Sequence, residues 1–329
     1  MTSLSAQKNK NIVWEFWEKL NETKPDDLPS VVKTYVSKDI SWHGPHPIND
    51  LNGDQAVITN FWKPLLKSFP NLQRRCDIFI GGHEHWVGAI GYFKGIFSQN
   101  WLDIPATGHE TNIRFGEFSA VYEDKIVATY IILDVLDVMR QSGFQLVPPS
   151  RGEEGLVPGP MTGDGVLLLP HDDAEGAKSL ALAKTMCAAL NTTQLARFWD
   201  TDTMMWYGPS GIGTMRGIKG FEEKHQTPFN HAFPGYGATR MGVHVTEVGE
   251  GNYAGWVGWP SIHATQSGEY LGCPPTGRMV DWRLMDFYRR EGDLIIENWV
   301  PVDMLNLFLT MGVDIYEKMR SEINKHQEK

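Results

Sequence analysis

Cysteine is scarce in this chain of 329 residues, and the three present, Cys76, Cys187 and Cys273, are scattered and odd in number. That leaves no disulfide framework and no zinc-ligand spacing; the three read as small buried hydrophobes. Long apolar runs are missing too. No segment reaches the roughly 18 consecutive apolar residues of a membrane-spanning helix, and the first eight residues lack the apolar stretch of a secretory signal. A cytoplasmic protein is therefore expected, and Asn21-Glu22-Thr23 and Asn191-Thr192-Thr193 carry no meaning as glycosylation sites. Lys and Arg never cluster, and the formal charge is −10. Both facts argue against nucleic acid and anionic membranes as partners, which require a concentrated basic face. A small neutral or cationic ligand fits better.

What the chain does contain is itself, twice. Trp42-His43-Gly44-Pro45, then Gly53, Pro64, Phe69 and Pro70, reappears 164 residues later as Trp206-Tyr207-Gly208-Pro209, then Gly217, Pro228, Phe233 and Pro234. Further on, Thr107-Gly108, Glu117-Phe118, Asp134 and Gly143 match Thr276-Gly277, Asp286-Phe287, Asp303 and Gly312 at an offset of 169. One insertion of five residues reconciles the halves. A period this long means two copies of a whole domain, since solenoid repeats run to about 20–50 residues. The expected domains are residues 8–144 and 176–319, joined by a Gly/Pro-rich linker over 145–175.

Each half opens with a helical pattern: Ile12, Val13, Phe16, Trp17 and Leu20 in the first, Leu180, Ala183, Cys187 and Leu190 in the second. A shorter helix follows each Trp-x-Gly-Pro landmark, around 55–66 and 218–229. Strands come next, predicted in the first copy over 77–80, 86–97, 110–122 and 126–133. Short helices over 135–141 and 304–311 close the copies, each followed by a glycine. Helices first and then an antiparallel meander is the order of an α+β domain.

Alternation on the strand after the Thr-Gly turn is the sharpest functional signal, because residues two apart share a face. Val280, Trp282, Leu284, Asp286 and Tyr288 lie together, as do Thr111, Ile113, Phe115, Glu117, Ser119 and Val121 in the first copy. Both copies thus place a carboxylate among hydrophobes. A buried carboxylate raises its pKa, which suits proton exchange near neutral pH; the competing reading is a structural pair with a hydroxyl or arginine. Asp134 and Asp303 each precede a short helix, where an N-cap is the favoured role, although Asp303 alternates with Glu297 and Trp299 and can face a cavity. His263, near Trp256 and Trp259, reads as a core histidine or a ligand-positioning one. His83 and His85, with His43, His46 or His109, are the only candidate metal ligands, but they follow Gly81-Gly82 and have no counterpart pair in the second copy. No cofactor motif is present. The tryptophans, with Trp42 and Trp206 at matched positions, suit thick cores or aromatic pocket walls.

Gly268 to Arg278, then Asp286-Phe287-Tyr288-Arg289, Asp293 to Trp299 and Asp303, resemble the SnoaL-like polyketide cyclase family of the nuclear-transport-factor-like superfamily. The first copy resembles it through Pro105-Ala106-Thr107-Gly108, Glu117 and Asp134. The resemblance implies two tandem cone-shaped α+β barrels, each a curved antiparallel sheet with N-terminal helices enclosing an apolar pocket. It also implies cofactor-free acid/base chemistry, with Asp286 as the acid/base group and Trp206, Tyr207, Trp256, Trp259, Trp282, Trp299, Trp42 and His43 as ligand-binding candidates. Members of this shape pair through their sheets, so a dimer-like unit within the chain, or a homodimer, is a further implication. The expected function is a cyclase, isomerase or lyase acting on a small apolar carbonyl or hydroxyl compound. The alternatives are a non-catalytic binding protein for an apolar metabolite and a metal-dependent enzyme using His83 and His85.

Overall fold

The computed structural model describes residues 4–82, 85–190, 194–234 and 244–327. Two similar halves follow one another. In the first, helix α1 (Leu4–Glu22) turns Val13, Phe16, Trp17 and Leu20 inward, and α2 (Leu28–Tyr35) begins with a proline in its first turn, where no N–H is needed. Strands β1 (Val36–His43) and β2 (Asp50–Asn52) precede α3 (Asp54–Val57), a π-helical turn (Ile58–Trp62) and α4 (Lys63–Ser68). The meander β3 (Gln73–Gly81), β4 (Trp86–Ile96), β5 (Glu110–Tyr122) and β6 (Lys125–Leu133) ends at α5 (Val135–Gln141).

The second half repeats this order. Helix α6 (Asp173–Ala188) leads to β7 (Met205–Tyr207), β8 (Thr214–Arg216), α7 (Gly217–Phe221), a π-helical turn (Glu222–Gln226) and α8 (Thr227–Ala232). Then come β9 (His244–Glu250), β10 (Tyr253–Thr265), β11 (Met279–Glu291), β12 (Leu294–Trp299), α9 (Met304–Thr310) and α10 (Ile315–Gln327). The sheets run β2-β1-β6-β5-β4-β3 and β8-β7-β12-β11-β10-β9. Among the described strands, β1·β6 and β7·β12 pair in parallel and the others antiparallel. Neither sheet closes into a barrel, because the outer strands of each are not hydrogen-bonded to one another; helices cover the concave face instead. No helix among the described residues is long and apolar enough to cross a membrane.

The Trp-x-Gly-Pro landmark has a steric cause. A Cβ on Gly44 would lie 2.2 Å from the Trp42 ring, and one on Gly208 would lie 2.3 Å from the Trp206 ring. Each indole folds over its own glycine, so only a residue without a side chain fits. The Thr-Gly turns likewise hold Gly108 and Gly277 at φ +71° and +66°, a region that favours glycine.

One residue beyond each matched carboxylate, alternation sends Phe118 and Phe287 to the opposite face of their sheets, where the two rings stack at 5.2 Å. Around them Ile78, Ile90 and Tyr92 meet Val248, Val257 and Met285 in a second core between the sheets. The contacts are reciprocal. Asp134 caps α5 and accepts from Ser210 N–H at 2.8 Å, while Asp303 caps α9 and accepts from His46 N–H at 3.0 Å. A buried Lys10–Glu250 ion pair joins α1 of the first half to β9 of the second, and Gly81 N–H donates to the other Glu250 oxygen at 2.7 Å. The segment between the halves runs along both: Val157 N–H donates to the Tyr92 hydroxyl, Trp299 Nε1 donates to Pro158 O, and Val166 bridges Phe79.

Candidate functional site

The concave face of the second sheet, roofed by α6, α7 and α8, encloses a cavity of about 790 Å³ counting its mouth. Strand β11 contributes Trp282, Leu284, Asp286 and Tyr288 to its wall, as period-two alternation requires. The Asp286 carboxylate accepts from Trp256 Nε1 at 3.0 Å and from Asn298 Nδ2 at 3.3 Å. The Tyr288 hydroxyl also bonds it, and lies 3.5 Å from the Cys187 thiol. Burial pushes the Asp286 carboxyl above its ordinary range; the bonds from Asn298, Tyr288 and Trp256 and the nearby His244 oppose that shift without cancelling it. Burial likewise holds Tyr288 well above the usual phenol range, which keeps it a neutral donor.

Two histidines that the sequence reading did not select stand in the same wall. His244 stacks on Trp256 at 5.0 Å and bonds Glu247 through Nδ1 at 2.9 Å. His225, carried by the π-helical turn, stacks on Trp206 at 4.2 Å. Desolvation lowers it to about 3, so the ring is neutral at pH 7. Among the described residues its Nδ1 has no partner, and neither do Trp199 Nε1, Trp282 Nε1 and Ser261 Oγ in the same wall. Unpaired buried donors are costly, and here they surround an apolar space. A ligand bearing acceptor oxygens would satisfy them.

The first copy holds a different arrangement at the matched place. Arg74 reaches into it from β3 and pairs with Glu117 at 2.8 Å, both side chains being buried. Its guanidinium lies 4.0 Å over Trp17 and 4.6 Å over both Phe93 and Phe115. Ser119 Oγ donates to the other Glu117 oxygen at 2.9 Å. At the place matched to the cavity of the second copy stand an arginine and its aromatic cage. Glu117 thus sits in the structural pair that the sequence reading set against a functional one.

Other candidates fall elsewhere. Trp206, Trp256 and Trp282 line the cavity, but Tyr207 and Trp299 stack on each other at 5.3 Å in the core between the sheets, with the Tyr207 hydroxyl donating to Glu297. His263 is exposed and paired with Asp281 on the far face of β10 and β11, which corrects both the core and the ligand-positioning reading: alternation points it away from Ile262 and Trp282. Asp303 is a buried helix cap with Arg283 beside it at 3.5 Å, not a cavity residue. Trp42 packs on Phe61 inside the first half, and His43 stacks on Tyr130 at 4.2 Å with Trp259 close by at the junction of the halves. His83 lies outside the described residues. His85 and His109 are exposed, and no group of three or more His, Cys, Asp or Glu among the described residues is placed to hold a metal ion.

His225 did leave a trace in the sequence. At the offset of 164 it stands opposite Phe61, so a ring that packs in one copy is replaced by one that can hydrogen-bond in the other. Tyr288 and Asn298 stand in the same way opposite Ser119 and Thr129 at the offset of 169.

A proposed SnoaL-like polyketide cyclase from Jannaschia sp. CCS1 has a similar solved structure, with 15% identity over 45% of this chain and 99% of that one, at a TM-score of 0.40. IdmH, a proposed polyketide cyclase from Streptomyces antibioticus, matches at 17% identity over 41% and 99% with a TM-score of 0.36. AclR, a proposed hydroxylase from Streptomyces galilaeus, matches at 18% identity over 42% and 97%, also at 0.36. Comparison with curated proteins found no match. The sequence profile of the SnoaL-like polyketide cyclases matches residues 11–142 and 181–310, so the chain belongs to that family and carries its domain in two tandem copies.

Proposed function

We propose that the second domain is a cofactor-independent acid/base enzyme of the cyclase, isomerase or lyase type, acting on a small apolar carbonyl compound with Asp286 as the proton-transferring group. One observation carries this reading: the matched carboxylates differ in state. Glu117 is neutralised by a buried arginine, whereas Asp286 has no cationic side chain bonded to it among the described residues and faces a cavity. A carboxylate kept from water by a tryptophan-lined wall is a stronger base than a solvated one.

In the proposed step the ionised Asp286 removes a proton from the carbon next to a substrate carbonyl. The C–H electron pair moves into an enolate, whose oxygen takes a hydrogen bond from the unpartnered donors in the wall, Trp282 Nε1 and Ser261 Oγ being two of them. The enolate carbon then attacks a second carbonyl of the same molecule, and the new alkoxide takes the proton back from Asp286. Atoms and electrons balance with no oxidant or reductant. Tyr288 and Asn298 hold the carboxylate in register, and Trp206 with His225 fixes the apolar body of the substrate.

Proton removal can be read without knowing the natural substrate. With 2-tetralone in D2O, the protein should accelerate exchange of the protons next to the carbonyl, followed by NMR. Asp286→Asn should lose about 10²–10⁴-fold of that acceleration while keeping its affinity for the ketone. Binding without accelerated exchange in the unaltered protein would favour a non-catalytic carrier of apolar metabolites.

A further inference from the structure

A second cavity, of about 630 Å³, lies beside the first and shares His225 and Ile212 with it. Apart from Gly211, its remaining wall comes from three parts of the chain: Pro148, Pro149 and Arg151 of the segment between the halves, Lys224 and Pro228 of the π-helical turn and α8, and Glu269 to Gly272. Arg151 and Lys224 both face it, and neither forms an ion pair among the described residues. Glu269, the one carboxylate in the wall, turns one oxygen to Gly272 N–H at 2.7 Å. Tyr270 connects the two spaces. Its ring meets Trp282 at 5.5 Å and Phe229 at 6.0 Å, both in the wall of the Asp286 cavity. Its hydroxyl belongs to a side chain only 3% exposed, has no partner among the described residues, and feels the charge of Arg151.

We infer that this second cavity is an anion subsite, and that the compound taken by the protein is an apolar ring system carrying a carboxylate. The ring portion occupies the Asp286 cavity and the carboxylate meets Arg151, Lys224 and the Tyr270 hydroxyl. Two cations and a buried unpaired donor beside a mostly apolar cavity match that shape of molecule, and an overall charge of −10 does not oppose it, because charges beyond about 8–10 Å are screened at physiological salt. The inference rests on the cyclase-type reading for what fills the first cavity. It differs from that reading in the residues it assigns. Arg151 gives the segment between the halves a part in recognition, so specificity depends on a residue that neither repeated domain contains.

The test uses 4-(2-naphthyl)butanoate and its methyl ester, which share a ring and differ by one charge, titrated by calorimetry against the full chain. The acid should bind about tenfold more tightly than the ester, and the preference should shrink as salt is raised. Arg151→Met combined with Lys224→Met should abolish the preference and leave ester affinity unchanged; both side chains are exposed, so the fold is retained. Tyr270→Phe should reduce the preference severalfold without altering ester binding. Equal affinity of acid and ester for the unaltered protein, or a preference that survives the double variant, overturns the anion subsite and leaves the Asp286 reading standing. Binding of the acid alone supports the subsite and removes the apolar anchor from the reading; binding of neither overturns both.

Discussion

Replacing Arg74 should be among the most damaging single changes in the first half, and the damage should be repairable. Arg74→Met removes the cation from a buried pair and leaves the Glu117 carboxylate with Ser119 as its bonded partner. Removing one member of a buried ion pair costs about 3–5 kcal/mol. Loss of the guanidinium from above Trp17, Phe93 and Phe115 adds about 2 kcal/mol, of which the methionine sulfur against the same rings returns about 1 kcal/mol. The sum is a loss of about 5 kcal/mol, or a fall in Tm of about 10–20 °C for a unit of this size. Glu117→Gln in the same chain removes the stranded charge while its amide oxygen still accepts from Ser119. The double variant should therefore recover to within about 2 kcal/mol of the original, a gain of about 3 kcal/mol over Arg74→Met alone, and the cycle with Glu117→Gln gives the coupling between the two residues. Urea unfolding of the four proteins at pH 7 measures it. A single variant within 1 kcal/mol of the original, or a double variant no better than the single, would refute the claim that the pair fills and stabilises the first copy. Proton exchange on 2-tetralone should be unaffected in the double variant; a fall beyond tenfold would return Glu117 to the chemistry.

Asp303→Asn tests the reciprocal caps through pH. Burial lifts the Asp303 carboxyl to about 6, so between about pH 4 and 6 the folded chain holds a proton that the unfolded chain releases, and stability falls as pH rises through that window. The variant should be weaker at low pH, where its amide cannot accept from both His46 and Asn306, yet its unfolding free energy should lose that downward slope. Gly208→Ala places a methyl 2.3 Å from the Trp206 ring and should cost about 1–3 kcal/mol by overpacking, while weakening ketone binding because the displaced indole carries His225. A melt and a titration on the same sample check both parts.

Much of the fold was legible because its signals are local. The landmark glycines mark where an indole folds back, and the Thr-Gly turns mark left-handed backbone. The alternation of β5 and β11 assigned Glu117 and Asp286 to the concave face and, by the same count, sent Phe118 and Phe287 to the other. What a single strand could not reveal was its neighbour across the sheet. Arg74 stands on β3, 43 residues before Glu117, and no spacing rule links an arginine on an edge strand to a carboxylate two strands away. The same limit misassigned His263, whose partner Asp281 comes from β11; for Asp303 the favoured N-cap role held, but its second bond, from His46 in the other half, was not visible. Short strands such as β2 and β8 were missed because three residues are too few to show a period. The π-helical turn that delivers His225 has no sequence signature of its own.

A doubled domain whose copies differ in this way implies two separable demands on one sheet. The outer faces of β5 and β11 must match each other, since Phe118 meets Phe287 and Gly116 packs against Met285 and Pro301. The concave faces never touch across the junction, so nothing in the packing of the halves requires the first copy to keep an open cavity. Once the two are joined in one chain, a pocket in the first copy costs stability and can be filled by Arg74 and its aromatic cage without disturbing the interface. The filled copy then acts on the second through the shared core, the Lys10–Glu250 pair and the reciprocal caps, holding the open sheet in shape around Asp286. On this reasoning the first domain contributes rigidity where the second tolerates a cavity: the matched carboxylate is tied to a buried arginine in one copy and faces open space in the other.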